Sequence, residues 1–142
     1  MGTDKGIPRL RQVVLDAEDA RALAEFYRQL LGLTYRPGDE PPPAGQPDPQ
    51  AREWLVLRDS GDGPQLAVQP VPSLPASTWP DAGVPQQLHL DLVVPDIDEL
   101  RAAHERVLAL GGRMLEDLID DPQEPLRVYA DLAGHPFCVF VG

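Results

Sequence analysis

The chain is poor in several things, and each shortage excludes a class of function. It has one cysteine, Cys138, in 142 residues. No intrachain disulfide can form, which suits a reducing compartment. Lysine and arginine number 12 against 23 acidic residues, for a net charge of -11. Nucleic acid and anionic membrane surfaces require basic patches, so neither is expected as a partner. The acidity reads as solubility. No stretch approaches the roughly 18 apolar residues of a membrane span. Met1 to Leu10 contains no apolar run, so no signal peptide is expected and a cytoplasmic location is. Also missing are a Gly-rich phosphate loop, Ser–His–Asp spacing, a CxxC pair and paired carboxylates suited to acid–base work. Asp16, Glu18 and Asp19, like Asp96, Asp98 and Glu99, fall at helix starts, where the helix dipole favours them.

Proline is abundant: 17 of 142 residues, over twice the usual roughly 5%. The prolines gather between elements, so the connections are stiff. The length suits a single domain, with a first module over about 8–70, a linker over 71–86 and a second module over 87–142. Gln12-Val13-Val14-Leu15 reads as a strand within 11–17. Asp16 or Asp19 caps a helix carrying Leu23, Phe26, Tyr27, Leu30 and Leu31 on one stripe. Gly32 stops it, and Leu33 to Arg36 is a short strand. Residues 37–50 hold six prolines and no apolar period. They form a long loop, either a lid or an insertion. Strands follow over 52–58 and 65–69, joined by the turn Asp59-Ser60-Gly61-Asp62-Gly63.

The pattern then repeats. His89 to Val94 is a strand. Its leucines alternate with His89, Asp91 and Val93 on the other face. Asp96-Ile97-Asp98-Glu99 is a capping box with aspartate leading. Ile97, Leu100, His104, Val107 and Leu108 make the second helical stripe, and Gly111-Gly112 ends it. Residues 113–116, 126–130 and 136–141 are strands, with an acidic loop over 118–125 and a turn over 131–135. A shift of 77 sets Gln12 on His89, Leu15 on Leu92, Asp19 on Asp96 and Leu23 on Leu100; later, a shift of 72 sets Asp59 on Asp131 and Pro64 on Pro136. One unit of strand, helix and three strands is written twice.

Four segments carry a family resemblance. They are Phe26-Tyr27-Arg28-Gln29-Leu30-Leu31-Gly32-Leu33, His89-Leu90-Asp91-Leu92-Val93-Val94, Ala109-Leu110-Gly111-Gly112, and Asp131-Leu132-Ala133-Gly134-His135-Pro136-Phe137-Cys138. With the duplication, the chain resembles the vicinal oxygen chelate superfamily: glyoxalase I, bleomycin-resistance proteins and extradiol dioxygenases. It looks closest to the glyoxalase-like group. The resemblance implies an α+β fold of two βαβββ modules forming a cupped mixed sheet, helices on its outer face. It also implies a homodimer.

Metal-dependent members of that superfamily take four ligands from the first, fourth, fifth and eighth strands, typically His or Gln and Glu. Carried over, these positions are Gln12, then Ala67 or Gln69, then His89, then Cys138. Both expected glutamates are missing, and a glutamine amide is a weak ligand for Ni, Co, Mn or Fe. No cofactor is therefore expected; an ion, if held, would be Ni, Zn, Mn or Fe on His89, Gln12, Gln69 and Cys138.

His89 has three readings. It could ligate a metal, although i and i+2 on one strand do not readily converge on an ion. It could line the cup, bonded to Asp91. Or it could grip a small ligand together with Asp91. Cys138 lacks a basic neighbour in sequence to make it a nucleophile, and reads as a small buried hydrophobe. His104 reads as a helix–sheet packing residue and His135 as an exposed turn residue. Arg127 is solvated surface, or, if it points inward, a counter-charge for an anionic ligand. Trp54, Tyr129, Phe137 and Phe140 line the cup or its back. The expectation is a protein binding a partly apolar or aromatic small molecule at Gln12, Gln69, His89, Asp91 and Cys138. The alternative is a metal-dependent lyase, isomerase or dioxygenase.

Overall fold

The computed structural model describes residues 5–61 and 65–142. Part of the expected 59–63 turn, and Pro64, lie outside the described residues. The element order is β1 (Gln12–Ala17), α1 (Ala20–Leu31), β2 (Thr34–Tyr35), β3 (Leu55–Arg58), β4 (Gln65–Pro70), β5 (Leu90–Val94), α2 (Ile97–Ala109), β6 (Arg113–Leu118), β7 (Leu126–Ala130) and β8 (Pro136–Val141). This is the duplicated βαβββ pattern. Each module makes its own four-stranded sheet, ordered β1-β4-β3-β2 and β5-β8-β7-β6. In both, the first strand runs parallel to the last and the remaining pairs are antiparallel.

The helices start where short acceptors meet orphan backbone donors. Asp19 accepts from the Ala22 N–H at 3.0 Å, and Asp96 from the Glu99 N–H at 2.8 Å. Gly32 closes α1 in the left-handed region, at φ 67°, where a Cβ would be strained. Leu23, Phe26 and Tyr27 of α1, and Leu100 and Val107 of α2, are fully buried. Leu31 and Leu108, expected on the stripes, turn toward solvent as each helix ends.

One core serves both modules. Phe26 and Tyr27 lie edge-on to Phe137 of β8, at centroid distances of 6.0 and 6.1 Å. Tyr129 of β7 stacks on Phe137 at 5.5 Å. Within this core sit Leu15 and Ala17 of β1, Leu55 and Leu57 of β3, Leu66 and Val68 of β4, and Tyr129, Phe137 and Val139 of the second sheet. Strand alternation then sends the residues between them to the opposite face of each sheet. The open face of β1 carries Gln12, Val14 and Asp16; that of β5 carries Asp91 and Val93; that of β8 carries Cys138 and Phe140.

The strand expected over 52–58 begins only at Leu55, because Gln50–Arg52 forms a single 3-10 turn. The 37–50 loop is pinned to α1. Arg21 holds Asp48 with two charge-assisted bonds of 2.8 and 2.9 Å and donates to the Asp39 carbonyl at 2.6 Å. Asp39 is itself buried and accepts the Val56 N–H near the start of β3 at 2.9 Å. No helix among the described residues is long and apolar enough to cross a membrane.

Candidate functional site

The site begins with the parallel pair β5 and β8. Its register sets Asp91 opposite Cys138. His89, just before β5, turns its ring toward Asp91, and Nε2 lies 3.2 Å from Oδ1. Residues 89 and 91, expected not to converge readily on an ion, do bring their polar atoms together. One donor atom each from His89, Asp91 and Cys138 fall within 4.8 Å of one another. His89 lies one residue before the ladder, on the face that alternation gives it together with Asp91. Gln86 fixes the ring from the other side: its Oε1 is 3.1 Å from His89 Nδ1. The ring is thus held between an amide oxygen at Nδ1 and a carboxylate at Nε2.

Burial pushes the Cys138 thiol up to about 11, with Asp91 adding to it. The thiol is a neutral donor at physiological pH, not a nucleophile. It is also only half-buried and faces the open side, so it is not the enclosed hydrophobe expected.

Gln12 and Gln69 belong to the first sheet. In the first sheet Gln12 pairs with Gln65, Val14 with Ala67, and Asp16 with Gln69. Asp91 corresponds to Val14 in the repeat, so Ala67 takes the place of Cys138. By register, then, Ala67 and not Gln69 is the repeat equivalent of Cys138, and its side chain offers no donor. Gln12 and Gln69 lie on separate rows of the ladder. Among the described residues, no hydrogen bond joins either to His89, Asp91 or Cys138.

The open face of the second sheet is more extensive than the alternation of β5 alone suggests. Reading across the ladder, Asp91, Cys138, Val128 and Glu116 form one row. Val93, Phe140, Leu126 and Leu118 form the next. Glu116 escaped sequence reasoning because a register shift between Met114 and Glu116 breaks the period of β6. An uninterrupted alternation starting from Arg113 puts it on the wrong face. The second row is wholly apolar, and Val93 and Leu118 in it are 66% and 42% exposed. That is far more than a core-facing strand residue shows.

Arg127 points the other way. It binds Asp117 at 3.0 Å on the helix-facing side and is not a counter-charge in the cup. Tyr129 and Phe137 belong to the core, and Phe140 alone of these aromatics lies on the open face of β8. His104 packs as expected, its Nδ1 2.9 Å from the Tyr129 hydroxyl. His135, expected to be solvated, is 20% exposed and 3.1 Å from the buried carboxylate of Asp131. A cavity of about 340 Å3 lies between β1 and the linker, lined by Val14, Asp16, Pro85, Gln86 and His135 among others. Gln86 connects it to the His89 ring.

Residues 12–140 match the family model described as a glyoxalase-like domain. The chain belongs to the glyoxalase-like family. It is thus a member of the vicinal oxygen chelate superfamily, as the four sequence segments implied. Solved structures with the same fold include a glyoxalase/bleomycin resistance protein/dioxygenase family enzyme from Burkholderia phytofirmans PsJN. It is 12% identical with a TM-score of 0.68, over 94% of this chain and 98% of that one. A hypothetical protein from S. aureus is 16% identical with a TM-score of 0.66, over 96% and 100%. A mutant of the fosfomycin resistance protein FosX from Listeria monocytogenes, complexed with Mn(II) and 1S,2S-dihydroxypropylphosphonic acid, is 17% identical with a TM-score of 0.66, over 96% and 93%. At these identities the likeness concerns the fold. No curated protein matches in sequence.

Proposed function

We propose that this glyoxalase-like chain binds a small, partly apolar molecule on the open face of its second sheet. The polar end of the ligand meets His89, Asp91 and Cys138. One observation carries the reading: three convergent polar groups border an exposed apolar row, the composition of a ligand site. Gln12 and Gln69 of the first sheet line the opposite part of the cup. We further propose a homodimer. β1 and β5 are edge strands of separate sheets, and an edge strand offers unpaired N–H and C=O groups to a second copy. Setting β1 of one copy beside β5 of another would join the two open faces into one cup. The one cysteine and the acidic surface fit a cytoplasmic protein.

A second reading has its own observation. Imidazole, carboxylate and thiol within 4.8 Å are a donor set that suits zinc. A polar group on the second ring nitrogen, as Gln86 is on Nδ1, is what orients metal-ligating histidines. His89, Asp91 and Cys138 would hold the ion, which would supply Lewis acidity to a lyase, isomerase or dioxygenase reaction. The ion would have to displace the Cys138 proton. Metal-free binding is the primary reading because Ala67 leaves the fourth strand without a ligand.

Elemental analysis of protein purified without chelator, beside a His89→Ala variant, separates the two. We expect no stoichiometric metal, and a melting-temperature rise when an apolar or aromatic compound library is screened. A ligand at 100 times its Kd adds about 2.7 kcal/mol. Stoichiometric Ni, Zn, Mn or Fe that disappears in His89→Ala would overturn the primary reading in favour of the second.

A further inference from the structure

The open face of the second sheet has a charge as well as an apolar floor. Asp91 and Glu116 stand at the two ends of one cross-strand row, with Cys138 and Val128 between them. Neither carboxylate has a lysine or arginine partner: Asp91 meets only His89 among ionic groups, and no ion pair involves Glu116 among the described residues. Both carboxylates raise the Cys138 proton affinity through space, so both act on the same patch of the face. The nearby cation of β7, Arg127, is on the opposite side of the sheet and spent on Asp117. Arg113, opposite Ala130 at the start of β6, lines a separate junction cavity beside Asp19 and Asp131. Beside the acidic row lies Phe140, whose ring face favours positive charge.

Resting on the binding role proposed above, we infer that the ligand class of this site is a hydrophobic organic cation. Its apolar body lies on Phe140 and Val93 and its positive charge between Asp91 and Glu116. Anionic molecules are disfavoured, because two carboxylates would face them with no lysine or arginine partner in the ion pairs of the described residues, His89 being the one ionisable base beside Asp91. The site thereby differs in sign from what a phosphonate would need.

Tetraphenylphosphonium and tetraphenylborate test this directly, being nearly equal in size and shape and opposite in charge. Binding of each is measured by calorimetry on the full chain. Because the whole protein carries a charge of -11, a generic preference for cations must be separated from a local one. The comparison is therefore between an Asp91→Asn/Glu116→Gln double variant and an Asp98→Asn/Glu99→Gln double variant, which removes the same charge at the start of α2. We expect the phosphonium to bind roughly tenfold or more tightly than the borate. That preference should collapse in Asp91→Asn/Glu116→Gln and persist in Asp98→Asn/Glu99→Gln. Equal loss in both variants would reduce the preference to net charge and overturn the inference. So would borate binding as well as phosphonium. In that case a Phe140→Ala variant that weakens both ions alike still supports the cup, so the two readings fail separately. If neither ion binds, the inference falls and the uncharged compound screen decides for the cup alone. If Phe140→Ala leaves binding intact but dissociates a dimer in sedimentation, the face belongs to a second copy, and the inference is again overturned.

Discussion

The hydroxyl of Tyr27 donates a 2.6 Å hydrogen bond to Oδ2 of Asp131, and by it α1 of the first module is fastened to the β7–β8 turn of the second. Asp131 is buried. It also accepts from the backbone N–H groups of Ala133 and His135 at 2.9 and 3.0 Å. Burial, reinforced by the Asp131 charge, pushes the Tyr27 hydroxyl well above its ordinary range, so it stays a donor. Replacing Tyr27 with Phe removes the donor and leaves a buried carboxylate oxygen short of a partner. We predict a loss of about 1–3 kcal/mol, read as a lower denaturant midpoint with an unchanged slope. An unchanged midpoint would show the bond to be dispensable.

The same turn is held from outside by the linker. Gly134 has φ +89°, and a Cβ there would lie 2.5 Å from Cβ of Ala76. Gly134→Ala must both strain the backbone and push the linker away. A destabilisation of about 1–3 kcal/mol is expected, with faster protease cleavage in 71–86 as its local signature. Wild-type cleavage rates would mean the linker packs on the turn without constraint.

Arg21 governs the proline-rich loop. Its guanidinium pulls the Asp48 carboxyl below the usual carboxylate range. The folded value lies under the unfolded one, so the contribution is present above about pH 4 and is lost as pH falls through the folded value. Asp48→Asn should cost about 1 kcal/mol or less at pH 7 and speed hydrogen exchange across 37–50. The gap between wild type and variant should close in acid. A gap that persists at pH 2 would contradict the ion-pair account.

Cys138 offers a chemical readout of the site. With a thiol pushed up to about 11 by burial and then Asp91, iodoacetamide at pH 7.5 should label the native protein on the order of 100-fold more slowly than the unfolded chain. Asp91→Asn should recover part of that rate, since it removes the charge and keeps the shape. Native labelling at the rate of a free thiol would refute the shift.

The duplication, both helix caps and the place of every strand were legible because each rests on local chemistry: Asp at a helix start, Gly32 at a stop, leucines alternating along β5. What was not legible depended on irregular backbone. His89 beside Asp91 follows from the alternation, but Cys138 joins them only through the pairing of β5 with β8. The bulge at Met114/Glu116 hid an acidic residue of the site. The fastening of the 37–50 loop runs through Arg21, an ordinary helix-surface arginine until Asp48 and Asp39 arrive from elsewhere. Asp16 opposite Gln69, with Val14 opposite Ala67, is a matter of pairing register, which a single strand's sequence does not encode.

The aromatic core around Phe137 bears on how the protein comes to exist. Tyr27 and Asp131 are 104 residues apart in the chain, and Phe26 finds its partner on the last strand. A nascent first module leaving the ribosome would have its own sheet to pack α1 against but would lack Phe137 and Asp131, which complete the surroundings of Phe26 and Tyr27. At about 5–20 residues per second, that surface waits several seconds for the C-terminal strand to be made. Two modules of one pattern thus mature as a single cooperative unit, and the interval before β8 emerges is when the chain is most exposed to aggregation or to chaperone capture.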